Sequence, residues 1–549
     1  MAAEDNYVRG GLALFAGHGD AEAIVHGDRR ITYAQLRAAV LGMAAALRGH
    51  GVRPGSAIAV LAGNQPEAVY AQLALHLLGC RSVWIAPNAP PSLSAQYLAL
   101  AEVDGFVYDA RTHAEPGAAL AVQAPHLPVL CFGAGGVGPD VTGPDPAGSD
   151  PAVSGEAGAD PADSDMAGPG PAGPDVAQLP SALLRTSGDA EPQSLFQTGG
   201  TTGLPKLVHH RHDFFANVLA AARRQLDAGG PRLRQLAVAG FWHSSQQAAG
   251  LITLFSGGLL VQHDGFDAGR FLATVQRERI TVATLPPPML YQVLDHPDLA
   301  ATDTSSLTML SCAGSAIAPS RLAQAMDRFG PVVLVAYGMS EATLLAAYPA
   351  AQHDPAFPER LASCGRPLPP SRVEIRDDAG RPAAAGEVGQ VWASARLMTS
   401  GYWGQPELTA QTLVGGWLCT GDVGYLDAHG YLYLVDRAKD MIVTGLTSSN
   451  VYSRTVEDVL NAHPAVGAAA VIGVPDERLG EAVHAVVQLH PDVSVDIDEL
   501  RQWCVERLNS LWAPQTMDVV DRLPLTALGK IDKRLLREKY LAGAGIAAR

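Results

Sequence analysis

One short stretch of the chain combines the residue types that bind a polyphosphate. Residues 198–206 contain three glycines, three threonines and a closing lysine. Glycines let backbone N–H groups converge on an anion, threonines add hydroxyl donors, and the lysine adds a mobile positive charge. The G-x-x-x-x-G-K-[ST] spacing is absent, since Pro205 precedes the lysine and Leu207 follows it. The stretch indicates a triphosphate-binding loop of another kind, with a flexible turn as the alternative. Its candidate ligands are Thr198, Gly199, Gly200, Thr201, Thr202, Gly203 and Lys206.

The order Thr-Gly-Gly-Thr-Thr-Gly-Leu-Pro-Lys resembles the phosphate loop of the adenylate-forming superfamily. That superfamily includes acyl- and aryl-CoA synthetases, peptide-synthetase adenylation domains and luciferases. Further blocks resemble it in the same order and near the usual separations: Tyr-Gly-Met-Ser-Glu at 337–341, Gly-Trp-Leu-Cys-Thr-Gly-Asp at 416–422, Asp-Arg-Ala-Lys at 436–439 and Pro-Leu-Thr-Ala-Leu-Gly-Lys at 524–530. Together the blocks cover nearly the whole chain outside one linker.

The resemblance implies a nucleotide site built from several blocks. Tyr337 packs on adenine, Ser340 bonds the α-phosphate in place of the usual threonine, and Glu341 holds Mg²⁺, which favours carboxylate oxygens. Asp422 takes both ribose hydroxyls, and Arg437 adds a second ribose contact. The alternative is that both acidic residues lie in ordinary turns. Residues implied to line the adenine slot beside them are Gly314, Ser315, Ala336 and Gly338.

Two lysines receive roles by the same resemblance. Lys439 occupies the pivot about which the C-terminal module swings between two poses. Lys530 is the adenylation lysine, although a lysine after a glycine is otherwise usually a solvated surface residue. The implied reaction is attack of a carboxylate on the α-phosphate of ATP with loss of pyrophosphate, which the loop and Lys206 receive while Lys530 bridges the two reacting anions. A thiol, most simply that of CoA, then attacks the acyl-adenylate.

The residues after Phe241 bear on the acid that is activated. Amino-acid-activating relatives place an aspartate directly after this phenylalanine, whereas here Trp242 and His243 follow. Since a buried ammonium without a counter-ion is costly, a free α-amino acid is disfavoured. Phe-x-His resembles acyl- and aryl-CoA synthetases, in which the histidine gates the acyl pocket; a core histidine is the alternative. The other candidates for a mainly apolar pocket are Ser245, Gln246, Met339 and Leu344.

One block departs from the superfamily pattern. The loop implied to line the thiol channel begins at Gly445, has Leu446 in place of a second glycine and is two residues longer before Asn450, and Ser453 and Thr455 replace a proline and a glutamate. The sequence therefore supports the adenylation step more strongly than the transfer of the acyl group to CoA. A carrier-protein thiol or a separate thiolating enzyme stays open, as does a catalytically silent nucleotide-binding paralogue; a luciferase-like oxygenase is remote.

Alternating strand and helix patterns predict the scaffold that positions these blocks. We expect an α/β fold: a large N-terminal domain over 1–436, with parallel sheets and a small β-rich subdomain at 372–435, and a small mobile α+β domain over 437–549. Residues 133–192, rich in Gly, Pro, Ala and Asp, are expected to form a disordered acidic loop and linker. Thr32 and Gln35 predict a capping box opening a helix that ends at His50–Gly51. Strands are predicted at 57–61, 82–85, 195–197, 235–239, 282–285, 332–336, 468–472, 485–489 and 517–520, and helices at 66–78, 92–103, 213–226, 455–462 and 497–508.

Composition excludes several classes of function. Net charge is −16, and eight of the acidic residues lie between 133 and 180 with no Lys or Arg, which disfavours nucleic acid as a partner. No apolar run approaches the roughly 18 residues of a membrane helix, and the first residues lack the pattern of a signal peptide. The six cysteines form no C-x-x-C pair, so neither a disulfide scaffold nor zinc is indicated. We therefore expect a cytoplasmic enzyme using ATP, Mg²⁺, a small carboxylic acid and CoA, or a carrier protein.

Overall fold

The computed structural model of the protein describes residues 6–87, 89, 91–142, 190–198, 206–377, 379–437, 440, 442–444, 449–476, 480–526 and 530–541. Two units are defined by their internal packing. The first contains the described residues up to Gly265 together with Tyr402–Gly404, and the second contains those of Phe266–Gly401 and from Gln405 onward. The helices are α1 (Tyr7–His18), α2 (Tyr33–Gly49), α3 (Pro66–Leu77), α4 (Pro91–Leu100), α5 (Ala114–Gln123), α6 (His212–Asp227), α7 (Ser244–Phe255), α8 (Ala268–Arg277), α9 (Pro287–Leu294), α10 (Pro319–Phe329), α11 (Pro406–Thr412), α12 (Ser453–Asn461), α13 (Ile497–Arg507) and α14 (Lys533–Leu541). The strands are β1 (Glu22–His26), β2 (Arg29–Thr32), β3 (Ala57–Leu61), β4 (Arg81–Ile85), β5 (Gly105–Asp109), β6 (Val129–Phe132), β7 (Gln193–Thr198), β8 (Lys206–His210), β9 (Arg234–Ala237), β10 (Leu259–Gln262), β11 (Val282–Leu285), β12 (Met309–Ala313), β13 (Val333–Met339), β14 (Ala342–Pro349), β15 (Arg366–Pro367), β16 (Arg372–Arg376), β17 (Gly389–Ser394), β18 (Leu413–Val414), β19 (Trp417–Leu426), β20 (Leu432–Arg437), β21 (Ile442–Thr444), β22 (Ser449–Val451), β23 (Val466–Asp476), β24 (Gly480–Leu489) and β25 (Thr516–Val520).

The first unit contains a six-stranded sheet in the order β6-β5-β3-β4-β7-β8, parallel except for the antiparallel β8. Strands β3 and β5 are buried along their whole length, as expected when helices cover both faces of a parallel sheet. In the same unit β9, β10 and β1 run parallel, and β2 pairs antiparallel with β1. The predicted capping box is confirmed: Gln35 N donates to Thr32 Oγ1 at 3.2 Å, and Thr32 N donates to Gln35 Oε1 at 2.8 Å.

The segment after β6 is more ordered than its composition predicts. Asp140 Oδ1 accepts from Gly133 N at 3.0 Å and from Thr142 N at 2.8 Å, and Val137 N donates to Tyr108 Oη at 2.5 Å. An acidic side chain closing a turn on its own backbone therefore orders the first ten residues of the predicted linker. Residues 143–189 lie outside the described part of the chain.

The second unit begins with parallel strands β11, β12 and β13, extended by antiparallel β14 and β15. The β-rich subdomain predicted at 372–435 is confirmed as an antiparallel sheet in the order β16-β17-β19-β18, with β20 also paired to β19. Its core is formed by Tyr337, Val373, Ile375, Val391 and Leu418 with their neighbours. Prolines end β11 at Leu285, as predicted, because they cannot donate to a ladder, and one of them opens α9.

The C-terminal part of the second unit is an α+β module, as predicted. Its sheet runs β22-β21-β24-β23, with β25 parallel to β24. Successive residues of β23 face two different cores: Ala469 and Val471 pack with residues of α12 and α13, whereas Ala470 and Ile472 pack with α14. Of the helices in the described ranges, none combines the length and hydropathy needed to span a bilayer.

Candidate active site

The predicted phosphate loop connects two paired strands of the first unit. Thr198 ends β7 and Lys206 begins β8, and the two residues are register partners in the antiparallel ladder. The residues between them lie outside the described part of the chain, including the predicted ligands Gly199, Gly200, Thr201, Thr202 and Gly203. The ladder therefore places Thr198 and Lys206, the first and last of the predicted phosphate ligands, opposite each other.

An aromatic residue that the sequence analysis missed lies beside the lysine. Lys206 Nζ is 5.5 Å from the ring centroid of Tyr402, within the range of a cation–π interaction. Tyr402 forms an isolated β-bridge with Val208, and the next residue, Trp403, donates its backbone N–H to Leu207 O at 2.9 Å. Tyr402 is thus held beside β8 by backbone pairing. In the sequence, the contact is indicated only by the two adjacent aromatic residues, Tyr402 and Trp403, that follow Gly401.

A network of buried hydrogen bonds holds β7 in place. His76 Nε2 lies 2.9 Å from Gln193 O, a carbonyl that can only accept, so Nε2 carries the proton and Nδ1 accepts from Tyr7 Oη at 2.9 Å. Burial lowers the pKa of His76 from 6.5 to about 3, which keeps the ring neutral. Ser82 of β4 and Ser194 of β7 are register partners whose hydroxyls lie 2.7 Å apart. These bonds fix the strand that ends at the phosphate loop.

In the second unit, the predicted adenine-slot residues lie at one edge of the parallel strands. Ala313, the last residue of β12, is the register partner of Ala336, which lies three residues before the end of β13. Gly314 follows with φ +99°, a backbone conformation that favours glycine, and Ser315 is exposed after it. The carboxyl ends of adjacent parallel strands are where open α/β sheets bind ligands.

Tyr337 and Asp422 form a direct hydrogen bond that the separate motifs did not predict. Tyr337 Oη donates to Asp422 Oδ2 at 2.5 Å, and both side chains are buried. Burial, and secondarily the Asp422 charge, raises the pKa of Tyr337 well above 10, so the phenol remains a donor. Asp422 N donates to Thr420 Oγ1 at 3.1 Å, and Thr420 Oγ1 donates to Val391 O at 2.8 Å. The threonine in the Thr-Gly-Asp block therefore fixes the backbone that carries the aspartate.

A β-bulge positions the predicted metal ligand. The β13–β14 ladder shifts register between Tyr337 and Met339, and a Cβ on Gly338 would lie only 2.4 Å from Thr343 O, so a glycine is required there. Ser340 and Glu341 form the turn that follows. Glu341 is 6% exposed, and its backbone oxygen accepts from Thr399 N at 2.6 Å.

The Glu341 carboxylate fits the usual way in which proteins hold Mg²⁺ beside a nucleotide, with one or two carboxylates and the remaining ligands from phosphates and water. Over the described ranges, no group of three or more His, Cys, Asp or Glu side chains is placed to hold a metal ion by itself.

The predicted adenylation lysine, in the second unit, is hydrogen-bonded to the threonine four residues before it. Thr526 N donates to Lys530 O at 2.6 Å, and Lys530 N donates to Thr526 Oγ1 at 3.2 Å, which explains the threonine four residues before the lysine in this block. A Cβ built on Gly314 would lie 3.9 Å from Lys530 Cε. The lysine side chain therefore lies against the loop that follows β12, beside the predicted adenine slot.

The hinge and thiol-channel predictions fall largely outside the described residues, which exclude Lys439, Gly445 and Leu446. The backbone of Arg437 is the register partner of Asp422 across β20 and β19. Further along, β21 and β22 pair antiparallel with Thr444 opposite Ser449, and the altered block begins between these two strands in the sequence.

One of the departures from the superfamily pattern makes a specific contact. Ser453, which replaces a proline, accepts a hydrogen bond from Lys533 Nζ at 2.8 Å. Lys533 also pairs with Glu457 at 2.8 Å. The serine therefore joins the start of α12 to the start of α14.

The predicted acyl-pocket residues are divided between the two units. Trp242, His243, Ser245 and Gln246 lie in the first unit at the start of α7, where His243 occupies the N-cap position and Ser245 is exposed. Met339 and Leu344 lie in the second unit. Met339 packs on the core of the β-rich subdomain, and Leu344 is 42% exposed.

Comparisons with known proteins place this arrangement in a family. The model of the AMP-binding enzyme family matches residues 14–403, and the model of the AMP-binding enzyme C-terminal domain matches residues 455–530. The chain therefore belongs to the AMP-binding, adenylate-forming enzymes. Its fold has the large α/β domain, β-rich subdomain and small C-terminal domain of that family.

Individual relatives act on different acids and acceptors. A feruloyl-CoA synthase from Amycolatopsis is 33% identical over 95% of this chain and 96% of its own length. A medium/long-chain-fatty-acid–CoA ligase of Mycobacterium tuberculosis is 41% identical over 64% of this chain, but the match spans only 62% of that relative. The solved amide bond synthetase McbA from Marinactinospora thermotolerans is 32% identical with a TM-score of 0.81, covering 97% of this chain and 99% of its own.

Proposed function

We propose that the protein activates a non-amino carboxylic acid with ATP and then transfers the acyl group to the thiol of CoA. The observation that supports this most directly is the grouping in the second unit, where Lys530 lies against Gly314 and Tyr337 is bonded to Asp422. In the proposed first step a carboxylate oxygen attacks the α-phosphorus, the bond to the bridging oxygen breaks, and pyrophosphate leaves with the electron pair. Both reactants are anions, so catalysis consists of alignment and charge neutralisation.

Each described residue then has a proposed task. Asp422, oriented by Tyr337, accepts hydrogen bonds from the ribose hydroxyls, and Gly314, Ser315 and Ala336 line the adenine slot. Ser340 donates to the α-phosphate. Lys530 bridges the attacking carboxylate and the nucleotide. Glu341 is the residue that holds Mg²⁺, which screens phosphate charge when bound.

Two further regions complete the proposal. Thr198, Lys206 and the loop between them receive the pyrophosphate, with His243 and Trp242 at the acyl pocket. We also propose that the chain consists of a large domain over 1–436 and a mobile domain over 437–549. Lys439 is the hinge between the two domains, and Gly445 and Leu446 lie beside the attacking thiol.

A second candidate for the acyl acceptor, besides the thiol of CoA, is an amine. Similarity to an amide bond synthetase over 97% of this chain, together with the altered 445–457 loop, favours an amine as the second candidate, and a carrier-protein thiol is the third. All three share the adenylate, since an acyl phosphate anhydride is open to attack by a thiol or an amine.

Carboxylate-dependent ATP–pyrophosphate exchange tests the first step. We expect exchange with aryl or medium-chain acids and none with free α-amino acids. Product analysis with CoA, a phosphopantetheinylated carrier protein and a primary amine then separates the three acceptors. Exchange that requires a free amino acid, or none with any acid although ATP binds, would contradict the proposal.

A further inference from the structure

Two buried N–H donors near the start of α7 have no acceptor among the described residues. They are the indole Nε1 of Trp242 and the side-chain amide nitrogen of Gln246, whose side chain is 7% exposed. Proteins leave few buried donors unpaired, because desolvation is then uncompensated. Two such donors four residues apart, in the segment already predicted to line the acyl pocket, point to a ligand that supplies the missing acceptor.

The positions of these donors are fixed by the surrounding backbone. A Cβ on Gly240 would lie 1.8 Å from the Trp242 ring, so the indole lies directly on this glycine. His243 N donates to Gly240 O at 3.1 Å, closing the turn, and the Trp242 and His243 ring centroids are 5.4 Å apart. Since the turn and the glycine together hold the ring, the indole N–H is presented in a constant direction.

The neighbouring Gln247 is engaged differently. Its Nε2 donates to Phe241 O at 3.2 Å, and its backbone N donates to His243 O at 2.8 Å. Gln247 Oε1 has no donor within the described ranges, but the amide nitrogen of the same side chain is bonded to the backbone next to Trp242. Gln247 therefore supports the segment, whereas the amide nitrogen of Gln246 has no acceptor in the part of the chain that the structure describes.

We propose that Trp242 and Gln246 are specificity-determining residues, and that the acyl portion of the substrate carries a neutral oxygen acceptor, such as a ketone, ether or phenol, away from its carboxyl group. This inference rests on the proposed function. Both donors are uncharged, so they suit a neutral oxygen better than a second carboxylate, which would be buried without a cation. A site built to hydrogen-bond a substrate group rejects the analogue that lacks it, since its donors then stay unpaired.

The test uses pairs of acids with matched shape, in which an oxygen replaces a carbon. Suitable pairs are 4-methoxycinnamic against 4-ethylcinnamic acid, and 7-oxooctanoic against 7-methylideneoctanoic acid. We expect kcat/KM for ATP–pyrophosphate exchange to be about 10- to 100-fold higher for the oxygenated member of at least one pair. In the double variant Trp242→Phe, Gln246→Met this preference should fall to within about twofold, because the donors are gone.

Two controls separate recognition from a structural role. Gln247→Met should lower exchange equally for both members of a pair and leave the preference intact. Ligand-free thermal stability of Gln246→Met should be unchanged or raised, because an unpaired buried donor is removed, whereas a structural role predicts a loss. Equal rates for both members in the wild-type protein, or a preference that survives the double variant, would overturn the inference. Binding of the same acids, measured by calorimetry with AMP present, tests the pocket even if no acid supports exchange, which would contradict only the proposed function.

Discussion

Replacing Tyr337 with phenylalanine separates the two contributions expected of this residue. The ring that is predicted to pack on adenine is retained, and only the hydroxyl that donates to Asp422 at 2.5 Å is lost. A hydrogen bond to a charged group contributes about 1.5–3 kcal/mol, and here the remaining carboxylate is 5% exposed and cannot recover the loss from bulk water. If half of this free energy serves to orient Asp422 toward the ribose, KM for ATP should rise about 4- to 12-fold with little change in kcat.

The assay is ATP–pyrophosphate exchange at saturating acid, with KM for ATP and kcat determined separately. Tyr348→Phe is the matched control: its Oη bonds His353 Nδ1 at 2.9 Å, and its ring is equally buried in the same sheet. It should lower stability by about 0.5–1.5 kcal/mol, as expected for a bond without a carboxylate, while leaving KM for ATP within about twofold of wild type. Equal KM values for the two variants, or an effect of Tyr337→Phe confined to kcat, would refute the reasoning.

The pH dependence of KM provides an independent check on the same pair. Because the pKa of Tyr337 lies well above 10, the phenol stays protonated throughout the neutral range. The contribution of this hydrogen bond should therefore be constant between about pH 6 and 9. An inflection in KM for ATP within that range that disappears in Tyr337→Phe would show that the tyrosine titrates, contrary to its buried setting.

Three other perturbations have defined outcomes. Lys530→Ala should reduce exchange by at least about 100-fold with nucleotide binding retained, whereas the exposed Lys539→Ala on α14 should leave both unchanged; undiminished exchange removes Lys530 from its role. Gly338→Ala forces a Cβ to within 2.4 Å of a backbone oxygen and should cost about 1–3 kcal/mol of stability and most of the exchange activity, while Gly42→Ala, with nothing within 4 Å of the new methyl, should be neutral or stabilising in thermal melts. Burial lowers the pKa of His76 to about 3 in the folded state, against 6.5 in the unfolded state, so the unfolded state binds the extra proton. The free energy of unfolding should therefore fall as the pH drops below about 7, by about 2 kcal/mol at pH 5. Urea midpoints of His76→Gln should depend less on pH than those of wild type, and parallel curves would contradict this.

Features governed by nearby residues were predicted well from the sequence. The capping box at Thr32, strands β3 and β7 and the first two helices of the C-terminal module follow from local hydrogen bonding and apolar periodicity, which act within a few residues. Helix α14 was not predicted. The error at 133–142 has the same origin. Composition predicted disorder, but Asp140 closes its own turn and Tyr108 of β5 provides a partner from outside the segment.

The amino-acid sequence by itself determined which residues are candidates for the proposed chemistry, because each block has the functional groups for the role proposed for it. Only the tertiary structure decided how those groups meet. The bond between Tyr337 and Asp422 joins residues 85 apart, Lys530 reaches Gly314 from another module, and Tyr402 lies beside Lys206 through pairing with β8. Such contacts depend on which strands become neighbours, and that is set by burying the apolar faces of the whole sheet rather than by any short stretch of residues.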